Sequence, residues 1–169
     1  MIDTDNNKAI AYLPIVNFFV IEGQPTSIES FGSGHINDTY KIVTDLKDRP
    51  NYMLQRINNN VFKNVDHLMA NLAIVCNHIK KKLETAGEDN IEGKVLTPIP
   101  THDGQLYYQD AQNTYWRMFI LIEGTKTYDI VETTRQAEEG GKAFGRFQAM
   151  WADLNPHDID EVIPNFSDI

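Results

Sequence analysis

The chain has 169 residues, 41% hydrophobic and 23% charged, enough apolar material for an ordinary globular core; a disordered chain is excluded. Fifteen Lys and Arg against twenty-four Asp and Glu leave a net charge of −9 with no basic cluster, which argues against a nucleic-acid partner. The single cysteine, Cys76, excludes an internal disulfide and a Cys-based zinc site, and within a helical apolar pattern it reads as a buried structural thiol.

The N-terminus, MIDTDNNK, is acidic and polar where a secretory signal would be basic and then apolar. The longest apolar stretch, 13–21, is broken by Asn17 and is too short for a bilayer, so a cytoplasmic protein without a membrane partner is expected. Ile10, Leu13, Val16 and Val20 recur at helical intervals and predict a helix over 5–19, although Pro14 argues for a kink or a short first helix. After the breaker at 22–25, the runs 26–31 and 39–44 read as strands joined by a tight glycine-bearing loop. Residues 51–57 alternate as a third strand, with Met53, Gln55 and Ile57 on one side and Tyr52, Leu54 and Arg56 on the other.

Asp66 is the expected N-cap of a helix to residue 85, whose stripe is Leu68, Leu72, Val75, Ile79 and Leu83 and whose stop is Gly87. Residues 94–99 and 115–122 are expected strands, and 105–109 could pair after the Asp103-Gly104 turn. Thr133 and Gln136 form a capping box for a helix over 134–154 that carries Phe144, Phe147, Trp151 and Leu154 and stops at Asn155-Pro156. Strand hairpins with a helix between them predict an α+β fold, an antiparallel sheet of about five strands with one helix packed on it.

Chemistry concentrates in FGSGHINDTY, residues 31–40. Glycines at a strand end let backbone N–H groups approach phosphate oxygens, although two glycines between strands also make a plain turn. A dinucleotide-binding turn needs a third glycine at Asn37 and a following helix, where the β-branched Thr39, Ile42, Val43 and Thr44 point to a strand. A Walker loop needs Gly-Lys-Ser or Gly-Lys-Thr, and a nucleophile elbow needs glycine at Phe31; neither is present. The remaining pattern, strand, glycine loop, strand and a third strand with a polar or basic residue, is that of a nucleotide-covering hairpin.

FGSGHINDTY, then YMLQRIN, then VFKNVDHLMANL, with PNFSDI near the end, resembles the aminoglycoside phosphotransferase-like small-molecule kinases, and within them the N-acetylhexosamine 1-kinase branch. The resemblance implies a protein-kinase-like N-lobe over 1–123 and, over 124–169, a connector with the first helix of a truncated C-lobe. It implies ATP and Mg²⁺ as cofactors. Gly32, Ser33, Gly34, His35 and Asn37 would lie over the phosphates, and Ile120, Leu121, Ile122 and Glu123 would form the hinge against the adenine.

The third strand departs from the family pattern, because the phosphate-binding lysine is replaced by Gln55, or by Arg56 if the strand is rotated by one residue. Gln55 also reads simply as a polar residue of an edge strand. The helix offers no carboxylate between His67 and Leu83; Asn71 is a neutral alternative partner for Gln55.

None of His35, His67, His78, His102 or His157 begins the family's His-x-Asp-x-x-x-x-Asn loop, and no magnesium-binding aspartate follows. No catalytic residue and no metal ligand is therefore assigned in this chain. It is expected to hold the nucleotide for a sugar 1-kinase and to be inactive alone, the sugar acceptor and Mg²⁺ being met by the missing C-lobe. Choline, homoserine or aminoglycoside kinases and a non-catalytic binding module are the alternatives. The helix over 134–154, lacking a C-lobe to pack on, is expected to drive homodimerisation. The acidic run after His157 reads as an exposed turn.

Overall fold

The computed structural model describes residues 10–32, 34, 36–126, 128–164 and 166. A short helix α1 (Leu13–Val16) leads into strands β1 (Pro25–Ser30), β2 (Asp38–Thr44) and β3 (Tyr52–Ile57) and the long helix α2 (Val65–Thr85). Strands β4 (Pro98–Ile99), β5 (Tyr108–Gln109) and β6 (Tyr115–Ile120) follow, then helix α3 (Thr134–Trp151). The sheet order is β1-β2-β3-β6-β4, all antiparallel, with β5 pairing the first two residues of β6. The fold is α+β as expected, with six strands where about five were predicted.

Register decides which side chains share a face of this sheet. The alternation read in β3 holds, so Tyr52, Leu54 and Arg56 point one way and Met53, Gln55 and Ile57 the other. On the first face Tyr40, Ile42, Leu54, Trp116 and Met118 meet Val16, Phe19, Ile28 and Ile99. Ile42, Leu54 and Met118 are completely buried there, each burial contributing roughly 2 kcal/mol. On the second face Ile57 packs on Val65 and Met69 of α2. Further along α2, Ile79 and Leu83 close over Val95, with Cys76 half-buried beside them.

The ends of α2 show why it is the longest element. Its N-cap is Asn64, whose Oδ1 accepts the His67 N–H at 3.0 Å, not Asp66. Asp66 sits one turn position inside, where its charge suits the helix dipole, and accepts the Tyr107 hydroxyl at 2.6 Å. That bond pushes the Tyr107 phenol up to about 12. At the other end Gly87, with φ of +70°, donates to Glu84 O at 3.1 Å while Glu88 donates to Leu83 O at 3.0 Å. This is the Schellman stop that the glycine predicted.

Four expected boundaries are corrected. Of the helix expected over 5–19, the described residues are helical at Ile10 and over Leu13–Val16, with Pro14 in the first turn of the latter, and are not helical from Asn17 on; residues 5–9 lie outside the description. Phe19 instead bridges to Thr101 and the Val20 N–H donates to Pro100 O at 2.9 Å, so pairing at the sheet margin overrides helical periodicity. The strand over 94–99 is only Pro98–Ile99, because Lys94 and Val95 both donate to Ile91 O in a tight turn that seats Val95 against α2. β6 stops at Ile120 rather than 122, and α3 stops at Trp151 rather than 154.

The capping box of α3 is present, Thr133 Oγ1 accepting from Gln136 N and Gln136 Oε1 from Thr133 N. No residue of α3 is fully buried, and the helix meets α2 chiefly through Met150. Just past its end, Asp153 lies 2.5 Å from Lys82 Nζ and 3.0 Å from His78 Nε2.

Candidate functional site

β1 and β2 remain paired to their tips, where the Phe31 N–H donates to Thr39 O at 2.8 Å, so Gly32, Gly34, Ile36 and Asn37 lie beyond a closed ribbon. Gly32 has φ of +80°, a conformation that side chains strain to adopt. A Cβ at Gly32 would have nothing within 4 Å, and one at Gly34 would meet only Asn37 O at 3.9 Å. Among the described residues no acceptor is bonded to the Gly32 or Gly34 N–H. Ser33 and His35 lie outside the described residues. Asn37 has a structural task, since its Oδ1 accepts the Asn58 N–H at 3.0 Å and ties the turn to the chain leaving β3.

Gln55 and Arg56, left open as alternatives by the sequence, diverge onto opposite faces. Arg56 stands opposite Asp38 in the β2–β3 register and is ion-paired with it, Nε to Oδ2 at 2.6 Å. The pair borders a polar cavity of about 450 Å³ with Tyr12, Ser30, Gly32 and Tyr40. The arginine's charge is therefore already matched.

Gln55 faces α2. It is not an edge residue, for β3 lies between β2 and β6. Its Nε2 donates to Thr39 Oγ1 at 3.1 Å and its Oε1 accepts from Arg117 Nε at 3.1 Å. Thr39, Gln55 and Arg117 are register partners, so a polar row runs straight across three strands, starting two residues after Asn37. Half-buried Lys41 and Met53 are paired next to it on the same face.

α2 meets the row with Met69, whose Sδ is 3.8 Å from Arg117 Nη1. Asn71, the neutral partner suggested by sequence, bonds Asp160 instead. The Arg117 guanidinium also lies 5.3 Å from the centre of the Phe119 ring. Burial among these neutral groups pulls its pKa down to about 10.

Beyond β6, Ile120 and Leu121 donate their N–H groups to Thr97 O at 3.0 Å and Asn51 O at 2.8 Å. The Ile122 and Glu123 N–H groups have no acceptor among the described residues. Ile122 lies beside Leu72, Val75 and Leu96, on the α2 side of the sheet, and Glu123 is anchored through its carboxylate by Asn51 Nδ2 at 2.7 Å. The open backbone positions of this stretch and the row at Gln55 lie on the α2 side of the sheet, whereas Gly32 and Gly34 line the cavity beside Arg56 and Asp38 on the opposite face.

Arg117 and Thr39 were not read as site residues in the sequence. An arginine inside the apolar run of β6, on the same alternation as Phe119, was the available signal, but only register puts it opposite Gln55. Among the described residues no group of three or more His, Cys, Asp or Glu is placed to hold a metal ion, and no helix is long and apolar enough to cross a membrane. Burial raises the Cys76 thiol pKa, as suits a structural rather than a nucleophilic cysteine. Scanned against models of known protein families, the sequence matches none.

Proposed function

We propose that this chain is the nucleotide-binding part of an ATP-dependent small-molecule kinase, with the fold of a protein-kinase-like N-lobe over 1–123. Its partner reaction is transfer of the γ-phosphoryl group to the anomeric hydroxyl of an N-acetylhexosamine. The observation that carries this reading is the glycine turn at the tip of the β1–β2 ribbon, whose Gly32 and Gly34 N–H groups have no acceptor among the described residues; a polar third-strand residue facing the packed helix, and the Ile122 and Glu123 N–H groups, likewise without an acceptor among the described residues, support it. Phosphates would sit under the turn at Gly32 and Gly34, and the adenine edge would meet the backbone at Ile122 and Glu123.

In-line phosphoryl transfer depends on positioning and on neutralising charge at the phosphates, and these residues offer the positioning. Mg²⁺ would arrive with the nucleotide. No His-x-Asp loop occurs in the sequence, so the base for the acceptor hydroxyl and the acceptor's own contacts lie outside these residues, and the chain alone should turn over no ATP.

Thermal unfolding with increasing Mg·ATP tests the reading. Nucleotide at about a hundred times its dissociation constant should add roughly 2 to 3 kcal/mol of stability. No shift at millimolar Mg·ATP would overturn it and favour a non-catalytic module, a reading that the glutamine at position 55 would suit.

A further inference from the structure

We infer that Arg117 is an anion-binding residue that takes a phosphate group of a polyphosphate ligand, supplying from β6 the positive charge that β3 lacks at Gln55. The identity of the ligand as a nucleotide rests on the function proposed above; the place of the charge does not.

A guanidinium held inside a protein is normally matched by a carboxylate, because leaving it unmatched is costly. Here every close partner is neutral: the Gln55 amide oxygen, the Met69 thioether and the Phe119 ring. None of the ion pairs among the described residues includes Arg117. α2 brings no acid to it, since Asp66 is engaged by Tyr107 and the next acidic residue is Glu84. The nearest titratable group on that helix is the Cys76 thiol, which burial keeps protonated and so uncharged.

The site is not enclosed: Arg117 is half-buried, so its guanidinium keeps some exposure to solvent. Gln55 holds Nε and thereby orients the planar fork, the geometry that suits bidentate contact with phosphate oxygens. Arg56 cannot serve the same ligand, being on the opposite face and paired with Asp38.

Calorimetric titration of the whole chain with Mg·ATP, adenosine and inorganic tripolyphosphate tests this, comparing wild type with Arg117→Met, Arg117→Lys and the exposed control Lys47→Gln. Arg117→Met should weaken ATP and tripolyphosphate by roughly tenfold to a hundredfold, the span expected for a charged hydrogen bond. Adenosine binding should not change, Arg117→Lys should fall between, and Lys47→Gln should match wild type. Ligand-free Arg117→Met should melt no lower than wild type, since it removes an unmatched charge.

Equal ATP affinity in Arg117→Met and wild type would overturn the inference and leave the nucleotide reading standing. Tripolyphosphate binding that needs Arg117, with no tighter binding of ATP and none of adenosine, would support the inference and overturn the nucleotide reading. Wild type binding neither anion would overturn both, and a large loss of melting temperature in both Arg117 variants would mark the residue as structural and overturn the inference.

Discussion

Asn71 and Asp160, eighty-nine residues apart, exchange two hydrogen bonds: Asn71 Nδ2 donates to Asp160 O at 2.7 Å, and the Asp160 N–H donates to Asn71 Oδ1 at 2.9 Å. The side-chain amide copies a backbone partner and pins the segment after α3 to the middle of α2. Each bond contributes about 1 kcal/mol net. Asn71→Leu should therefore loosen residues 155–163 selectively, read as faster amide exchange at Asp160 with little change in the core strands. Equal loss of protection in β3 and β6 would show that the contact supports the whole fold.

Asp153 gives this docking a pH dependence. Lys82 foremost, then His78, hold its carboxyl well below the usual range, at about 2. A carboxylate with a depressed folded pKa contributes stability above its unfolded value near 4 and loses it as pH falls toward 2. Trp151, two residues away and partly exposed, reports locally, whereas Trp116 is buried in the sheet. Acidification from pH 5 to 2 should shift a Trp151 emission signal that Asp153→Asn abolishes, in a Trp116→Phe background. Persistence of the shift in Asp153→Asn would assign it to another acid.

Core and surface leucine-sized groups should differ sharply. Leu54 has no exposed surface between α1 and the sheet, so Leu54→Ala should cost about 2 to 5 kcal/mol in denaturant unfolding. Phe144 and Phe147 are 64% and 43% exposed, so replacing either with Ser should change monomer stability by less than about 0.5 kcal/mol. If a second copy covers this stripe, as the exposed helix led us to expect, light scattering of the double variant should show less self-association than wild type. A wild type that stays monomeric at high concentration would remove that expectation.

What the sequence made legible followed from short-range chemistry. The alternation in β3, the capping box at Thr133 and the stop at Gly87 were read correctly because each depends on residues within a few positions. The end of helix 5–19 and most of strand 94–99 failed for a different reason: Phe19 and Val95 satisfy their apolar character through distant partners, Thr101 and α2, which no local window contains. The same limit applied to the candidate site. The glycine turn and Gln55 stood out locally, whereas the Thr39–Gln55–Arg117 row exists only once β2, β3 and β6 are in register.

The glycine turn supplies a test with its own control. Gly32→Ala must hold φ near +80°, at a cost of about 1 kcal/mol, but its methyl meets no protein atom within 4 Å. Gly87→Ala imposes the same strain at the end of α2, at φ of +70° and equally free of clash. The two should therefore lower melting temperature alike. Only Gly32→Ala should also weaken Mg·ATP, because its methyl enters the space where phosphate oxygens would approach the backbone. Gly34→Ala isolates that second effect: its Cβ would make one ordinary contact, with Asn37 O at 3.9 Å, so stability should hold while ATP affinity falls. Titrations in which Gly34→Ala binds Mg·ATP as tightly as wild type would mean that no phosphate lies against this turn.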